Sequence, residues 1–346
     1  MKGERKPPFQ EGGEITDEVV TFVQYGGELR GTLLFAAERL VSVKNYTETQ
    51  LYDVSRFRIK GREISCGSDA AGIPFLTEGV LSGKDAAEIG AEVYPCDDPA
   101  KRILFTETPG IVLRLCKVSY VSAEKDIKSF MPQFEGCAFS KTIGKLKNKV
   151  KTNILLFGDS ISAGYHCSKM QNIPPYQESF ANIFASETGR YYGTQAELCN
   201  KSVGGYNSEQ GLAHLEEALS GIEPDLVILG FGMNCGAHGF TPERYGKNMR
   251  AMTEIIKKTT QAEILLIATV LPNPQAPQYT VQGEYVPVLR ALCEDDGRVG
   301  MLNITDASRR MLQRKRAIDL FANNINHPND FMVRFYAMAL QNIFCR

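Results

Sequence analysis

The chain contains no tryptophan, only four histidines and almost no net charge among its 346 residues. Its 39 Lys and Arg against 40 Asp and Glu exclude the strongly basic surface typical of nucleic-acid or acidic-membrane binding. The lack of tryptophan disfavours a tryptophan-based surface for stacking sugars, although 14 Tyr and 18 Phe supply other rings. We therefore expect neither nucleic acid nor membrane as a partner, and the sequence specifies no oligomeric state.

Long apolar runs are also missing. No stretch approaches the ~20 consecutive apolar residues that span a bilayer, and the first 18 residues lack the apolar core of a signal peptide. The nine cysteines are scattered and form no CxxC pair, which favours reduced thiols over a disulfide framework. Together these absences predict a cytoplasmic protein.

The pattern of short apolar runs divides the chain into two predicted domains. Residues 1–150 contain many short β runs separated by Gly, Asp, Asn or Pro, which predicts an all-β sandwich or jelly roll. In the run over 110–122, alternation predicts a strand with one buried face. From about 123 to 151 the pattern fades into a lysine-rich connector, interpreted as a solvated link at the end of this domain.

Residues 151–346 alternate strand and helix, which predicts a three-layer α/β/α fold of flavodoxin-like type with a five-stranded parallel sheet. Helices are expected after Pro174, over 208–219, from Thr241-Pro242, and from Pro328. The predicted strands span 153–157, 196–200, 225–231, 263–270 and 298–304.

Ligands of such sheets bind beyond the carboxyl ends of the strands, so the turns there carry the candidate chemistry. Gly158-Asp159-Ser160 places a hydroxyl where the first strand becomes a helix, as a nucleophile requires. The turn at Gly204-Gly205 and the amide of Asn234 offer N–H donors, although glycine and asparagine are also ordinary turn residues.

A serine nucleophile needs a general base, and the histidines can be weighed one by one. His214 falls inside a predicted helix, and His166 is too close in sequence to Ser160 to swing easily toward its hydroxyl. His238 lies in a loop and is possible. His327 is favoured because a separate loop presents its ring from the side.

Together, these segments resemble the SGNH/GDSL hydrolase family over residues 152–346. The resemblance rests on Gly-Asp-Ser at 158–160, the glycine turn ending at Gly205, Gly-x-Asn at 232–234 and His327 in His-Pro-Asn. It implies a serine ester hydrolase with Ser160 as nucleophile and His327 as base. The implied oxyanion hole consists of the N–H groups of Ser160 and Gly205 and the amide of Asn234. The N-terminal β region resembles the jelly roll that precedes this domain in some carbohydrate acetylesterases.

The sequence departs from the family pattern at two positions. Cys235 stands where an Asp is usual, a change expected to alter only bonding within the loop. Asn324 stands where the family carries the triad Asp, three residues before the histidine. The group that orients His327 is then the amide oxygen of Asn324, a backbone carbonyl or Asp319, with a carbonyl oxygen favoured. A degenerate, inactive enzyme is the remaining interpretation.

A metal site built from the pairs Cys235/His238 and His166/Cys167 is disfavoured because no third segment adds a matching pair, so neither metal nor cofactor is predicted. The preferred hypothesis is removal of acetyl groups from a carbohydrate or oligosaccharide ester. The alternatives are a lipid-ester or thioester hydrolase of lysophospholipase type, and a catalytically impaired carbohydrate-binding protein.

Overall fold

The computed structural model describes residues 10–11, 13–70, 72–94, 102–124, 130–294 and 297–346. They form two compact units, the first from described residues within 1–130, 166–177 and 310–335, and the second from those within 131–165, 178–309 and 336–346. Residues 1–9, where no signal peptide is predicted, and Cys96 lie outside the described residues. Within the described ranges, every helix is too short or too polar to cross a membrane.

The first unit contains three antiparallel sheets. Their orders are β1-β2-β11-β5-β6, β3-β4-β8-β7 and β10-β9. The strands are β1 Gln10–Glu11, β2 Glu14–Val20, β3 Val23–Tyr25, β4 Glu28–Thr32, β5 Ala37–Asn45, β6 Leu51–Tyr52, β7 Arg58–Lys60, β8 Glu63–Gly67, β9 Glu92–Tyr94, β10 Ile103–Phe105 and β11 Cys116–Ser122. Helix α1 spans Glu78–Leu81, and short 3-10 helices span Val54–Arg56, Ala86–Ile89, Val112–Arg114 and Ala317–Asp319.

Strand β11 differs from its prediction. The predicted strand over 110–122 breaks into the 3-10 helix Val112–Arg114 and the shorter strand that follows it. Its two faces are both buried, since Lys117 and Ser119 are as inaccessible as Val118 and Tyr120. The expectation of one buried face is wrong because the Lys117 ammonium is paired with carboxylates, which makes its burial tolerable.

The division into units also differs from the predicted boundary after residue 150. Two segments beyond that boundary, 166–177 and 310–335, cluster with the N-terminal residues. Polar contacts explain the clustering. Lys315 donates to the carbonyl of Val19 at 2.6 Å, and Arg334 donates to the carbonyls of Thr16 and Asp17, both at 2.8 Å. Long-range hydrogen bonds of this kind leave no periodic signal in the sequence.

The second unit is built on a six-stranded sheet of order β12-β17-β16-β15-β13-β14. Five strands pair in parallel, as predicted, and β12 is added antiparallel to the edge strand β17. The strands are β12 Gln133–Gly136, β13 Thr152–Gly158, β14 Ala196–Asn200, β15 Leu226–Gly230, β16 Glu263–Ala268 and β17 Val299–Asn303. The predicted α/β class is confirmed, and the sheet gains a strand from the supposed connector.

Helices alternate with these strands. They are α2 Ser140–Lys147, α3 Ser160–Ala163, α4 Phe180–Tyr192, α5 Ser208–Ala213, α6 Leu215–Leu219, α7 Met233–Ala237, α8 Pro242–Thr259 and α9 Tyr285–Glu294, with a 3-10 helix at Gln282–Glu284. Helices α10 (Ile304–Leu312) and α11 (Asp330–Phe344) contribute residues to both units.

The helix predictions are confirmed with shifted ends. Thr241 caps α8 by accepting from Arg244 N, α11 begins at Asp330 rather than Pro328, and the helix expected over 208–219 breaks at His214. An apolar core lies between the sheet and its helices, where side chains such as Leu229, Met249 and Leu289 are fully buried.

Candidate active site

The first feature is the turn that carries Ser160. Strand β13 ends at Gly158, and Asp159 caps the short helix α3 by accepting from Ile161 N at 3.0 Å. Gly164, at a φ of +86°, ends that helix. Ser160 therefore lies where the strand becomes a helix, as predicted, with its N–H in the first turn.

Two glycines let neighbouring strands approach this turn. A Cβ on Gly158 would lie 2.4 Å from the carbonyl oxygen of Gly230, and one on Gly230 would lie 2.2 Å from Ser162 Oγ. Asp159 N also donates to the Gly230 carbonyl at 3.2 Å. The ends of β13 and β15 are thus locked together beside the serine.

The glycine turn after β14 packs against the same segment. Val203 N donates to the Gly158 carbonyl at 3.0 Å, and a Cβ on Gly204 would lie 2.7 Å from Tyr165 Oη. Gly205 has a φ of +82°, a conformation that L side chains rarely adopt. This backbone freedom is what the predicted N–H donor needs in order to face a substrate.

The third loop brings in Asn234. It follows Gly232, whose φ is +142°, and its Nδ2 donates to the carbonyl of Tyr206 at 3.0 Å. The loops of the two predicted donors, Gly205 and Asn234, therefore meet. One amide hydrogen of Asn234 fixes the side chain, and the other is the one required at an oxyanion.

Cys235 has the bonding role expected from its position. Its buried Sγ accepts from Ser208 N at 3.1 Å, and burial raises the pKa of the thiol to about 11. The side chain is therefore a neutral structural thiol. His238, its partner in the disfavoured metal pair, has Nδ1 at 2.6 Å from the carbonyl of Asn234.

Asp159 is the strongly perturbed acid of this unit. Burial raises its pKa to about 7, although hydrogen bonds from Ile161, Ser162 and Met233 backbone groups oppose the shift. Asp159 lines a cavity of about 10 Å³ beneath the serine turn. The cavity is about the size of one water molecule, and its lining includes Ser162, Phe180, Ile267, Thr269 and Tyr336.

The predicted base, His327, belongs to the first unit, and the side chain of Asn323 holds its loop by hydrogen bonds. Asn323 Oδ1 accepts from the N–H groups of Ile325, Asn326 and His327, each at 3.0 Å. This fixes the amide orientation, so Asn323 Nδ2 faces His327 Nδ1 at 3.2 Å. The same Nδ1 lies 2.7 Å from Nδ1 of His166, and the two rings stack with centroids 4.6 Å apart.

The residues proposed to orient His327 have other partners. Asn324, at a φ of +61°, donates its Nδ2 to the carbonyl of Leu104 at 2.9 Å. Asp319 accepts from Thr21 N at 2.6 Å and faces Lys315. An orienting role for either residue or for a backbone carbonyl stays a prediction. His166 was not selected from the sequence, because it is too close to Ser160 along the chain to serve easily as its base.

Glu107 was missed altogether, since one acid in a turn gives no signal. Its Oε2 lies 3.3 Å from Nε2 of His166. Burial lowers the pKa of His166 to about 4, with the main chain of Glu107 opposing, and burial with the nearby His166 lowers that of His327 to about 3. Both rings are neutral near pH 7. These three residues are also the one group in the described ranges with metal-compatible spacing, all ligand atoms lying within 4.8 Å.

The fold and the serine turn first define a class: an α/β protein that presents a serine at the carboxyl end of a parallel strand, beside two donor loops. Residues 156–332, just over half of the chain, match the model of the GDSL-like Lipase/Acylhydrolase family. The chain belongs to that family.

Curated relatives match a shorter stretch. An arylesterase of Vibrio mimicus is 29% identical over 126 residues, which is 36% of this chain and 59% of the relative. Thioesterase 1/protease 1/lysophospholipase L1 of Escherichia coli K12 is also 29% identical over 126 residues, 36% of this chain and 55% of the relative. The chain thus spans less than two thirds of the length of these relatives.

Solved structures align with part of the chain at low sequence identity. A two-domain esterase (CEX) active on acetylated mannans aligns with a TM-score of 0.49 and 21% identity, over 63% of this chain and 55% of that one. Axe2, an acetylxylan esterase from Geobacillus stearothermophilus, aligns with a TM-score of 0.46 and 16% identity, over 57% of this chain and 96% of that one.

Proposed function

We propose that the chain is a carboxylic ester hydrolase that works through an acyl-enzyme on Ser160. The observation that carries the proposal is the serine turn itself. Ser160 follows the end of β13, and the loops of Gly205 and Asn234 pack on its segment, all within the family match.

The mechanism assigns each group one task. His327 takes the proton of Ser160 Oγ as that oxygen attacks the ester carbonyl, and the resulting oxyanion receives hydrogen bonds from Ser160 N–H, Gly205 N–H and the Asn234 amide. His327 then protonates the leaving alcohol, and water repeats the cycle on the acyl group. Since His327 belongs to the first unit, its approach to Ser160 is itself part of the proposal.

The proposed substrate is an acetyl ester of a carbohydrate or oligosaccharide. The cavity that Asp159 and Ser162 line holds only about 10 Å³, which is too small for a long acyl chain. An acetyl group needs no such cavity. The antiparallel β unit adds the kind of accessory region that the sequence resemblance associates with carbohydrate esters.

Replacing the nucleophile tests the activity. Ser160→Ala should abolish the burst of alcohol released from a chromogenic acetate ester, and an unchanged burst would overturn the assignment. Asn234→Ala should lower kcat by about 10² to 10³, the usual effect of losing one oxyanion donor. Loss of that size with an unaltered Km for the ester would place Asn234 in the hole.

A lipid-ester or thioester hydrolase is the second candidate, because the Escherichia coli relative carries the name thioesterase and lysophospholipase. A profile of kcat/KM against acyl chain length separates the two. A maximum at two carbons supports the acetyl proposal, whereas a maximum at eight or more carbons contradicts it.

The third candidate is a binding protein that no longer turns over, motivated by Asn324 at the triad position. An organophosphonate that labels an activated serine distinguishes it. Labelling of Ser160 supports the hydrolase, and retained affinity for sugars without labelling supports binding alone.

A further inference from the structure

The first unit contains a chain of three ionisable side chains that ends at the proposed base, His327. Glu107 Oε2 lies 3.3 Å from Nε2 of His166, and Nδ1 of His166 lies 2.7 Å from Nδ1 of His327. The sequence shows no carboxylate at position 324, where a triad would have one. The nitrogen of His327 that such a carboxylate would contact instead faces another imidazole.

The direction of the contacts matters. Glu107 and His327 approach His166 at opposite ring nitrogens, Nε2 and Nδ1. Both ring nitrogens of His166 are therefore contacted at the same time, an arrangement through which hydrogen bonds can pass from one side of the ring to the other. His166 is 6% exposed and His327 is 8% exposed, so both rings are held away from water.

The position of His166 is set by the segment around it. His166 has a φ of +67°, and Ser168 N donates to Asp330 Oδ1 at 2.9 Å. Gln177 closes the segment by donating its Nε2 to the Asp330 carbonyl at 2.8 Å. Asp330 begins α11, three residues after His327. Asp330 therefore anchors the segment of His166 through both its carboxylate and its main-chain carbonyl, at the start of the helix that follows the loop of His327.

We propose that His166 replaces the triad carboxylate as the positioning residue of His327, with Glu107 behind it. This inference rests on the proposed function. His327 donates Nδ1–H to the lone pair of His166 Nδ1, and the Nε2–H of His166 faces the Glu107 carboxylate across 3.3 Å. His327 then presents an unprotonated Nε2, the tautomer that a general base requires.

The proton balance of the catalytic step is closed within these groups. When His327 Nε2 takes the proton of Ser160, the ring becomes a cation whose Nδ1–H still bonds to His166. The negative charge of Glu107, one ring away, stabilises that cation, and the proton on Nε2 later leaves with the alcohol. Asn323 Nδ2 also lies near the same Nδ1, at 3.2 Å, and donates to Asn326 Oδ1 at 3.1 Å. The proposal assigns the Nδ1 proton of His327 to the shorter contact, the one of 2.7 Å with His166.

Two nearly isosteric substitutions of His166 give the decisive test. In His166→Asn, an amide oxygen takes the place of Nδ1 and still accepts from His327. In His166→Gln, the amide lies at the place of Nε2 and leaves no acceptor at Nδ1. A merely structural role would be disturbed similarly by both variants, whereas the proposal separates them.

We expect His166→Gln and His166→Ala to lower kcat by about 10² to 10⁴ with little change in KM, because an unoriented base adopts the wrong tautomer. His166→Asn should keep kcat within about tenfold of the wild type. Thermal unfolding of each variant checks that the first unit is intact. Equal losses in the Asn, Gln and Ala variants, or an unchanged kcat in His166→Ala, would overturn the proposal.

Three further experiments distinguish this proposal from a metal site and from failure of the proposed function. Glu107→Gln, at an exposed side chain, should lower kcat several-fold. Esterase activity that disappears in a chelator and returns with Zn²⁺ would overturn the relay in favour of a metal site. If Ser160→Ala retains the burst, the proposed function fails, whereas a Ser160-dependent burst that is indifferent to His166 defeats only the relay.

Discussion

The two units bury charge to different extents. The core of the second unit is dominated by apolar side chains, with residues such as Leu229 and Met249 fully buried between sheet and helices. The first unit also buries apolar residues such as Val19 and Phe22, but it adds buried ion pairs to them. Lys315 and Glu18 form an ion pair with both side chains inaccessible, and Lys117 is paired with Asp330 at 3.1 Å with side chains 1% and 0% exposed.

This difference follows from how each unit is assembled. The second unit is dominated by β-α alternation, where apolar periodicity alone specifies the layers. The first unit must gather 166–177 and 310–335 onto sheets whose strands all end by Ser122. Buried ion pairs tie these distant segments together, because a buried charge tolerates only the partner that neutralises it.

The largest effect is expected from breaking a buried pair. Lys315→Met leaves the Glu18 carboxylate without its cation in a site where burial already raises its pKa. We expect the first unit to lose about 3 to 5 kcal/mol of unfolding free energy. Hydrogen exchange of peptides from β2 and β11 measures that loss unit by unit.

The double variant Lys315→Met with Glu18→Gln is the control. It removes both charges, so a large part of the lost stability should return. A double variant as unstable as the single one would show that Lys315 acts through packing, and the contrast between the units would lose its electrostatic basis.

In the second unit, the substitution expected to cost most is one that removes side-chain volume from the apolar core. Leu229→Ala in β15 removes methyl groups from a fully buried position, and we expect a loss of about 2 to 5 kcal/mol. Leu229→Met, which conserves volume, should cost less than about 1.5 kcal/mol. Hydrogen exchange of β15 and β16 peptides reports both. Equal losses in the two variants would contradict a core specified by volume.

Two buried groups, one in each unit, should affect stability in acid in opposite directions. The pKa of His327 falls to about 3 in the fold, so the unfolded chain binds more protons and stability is lost as pH falls below about 6.5. The pKa of Asp159 rises to about 7, so the folded state binds more protons and stability is gained as pH falls from about 7. Each group contributes up to about 1.4 kcal/mol per pH unit.

Variants isolate these slopes from those of other groups. Between pH 4.5 and 6.5, His327→Gln should flatten the acid loss in the first unit, and Asp159→Asn should flatten the acid gain in the second. The measurement is hydrogen exchange of each unit, corrected for intrinsic exchange rates. Slopes of the same sign in both units, unchanged by the variants, would contradict the assignments.

The same contrast explains how much of the fold the sequence could predict. The five parallel strands, the cap at Thr241 and the class of fold follow from local periodicity and capping chemistry, and all were found. The edge strand β12 was missed because four residues carry no reliable period. The membership of 310–335 in the first unit depends on Arg334 and Lys315 finding distant carbonyls and carboxylates, which no local pattern encodes.

The site divides in the same way. Ser160, Gly205 and Asn234 follow strand ends, and topology alone gathers their loops. The surroundings of His327 were not predictable, because Glu107 comes from the β unit and His166 depends on a backbone conformation with positive φ. A weak clue did exist in the sequence. Because the usual aspartate partner of the base is missing, another hydrogen-bond acceptor must orient His327. An imidazole can be that acceptor, and His166 is one of only three other histidines in the sequence.

The smallest effect is expected from the same Lys→Met substitution at a more exposed ion pair, which compares a buried pair with an exposed pair directly. Lys145 Nζ lies 2.6 Å from Asp225 Oδ1 in the second unit, but the lysine side chain is 43% exposed. Water solvates both charges there, so Lys145→Met should cost less than about 1 kcal/mol, against several for Lys315→Met. Thermal unfolding at low and high salt checks this, since salt should weaken only the exposed pair. Equal losses for the two substitutions would mean that burial does not set the value of these ion pairs.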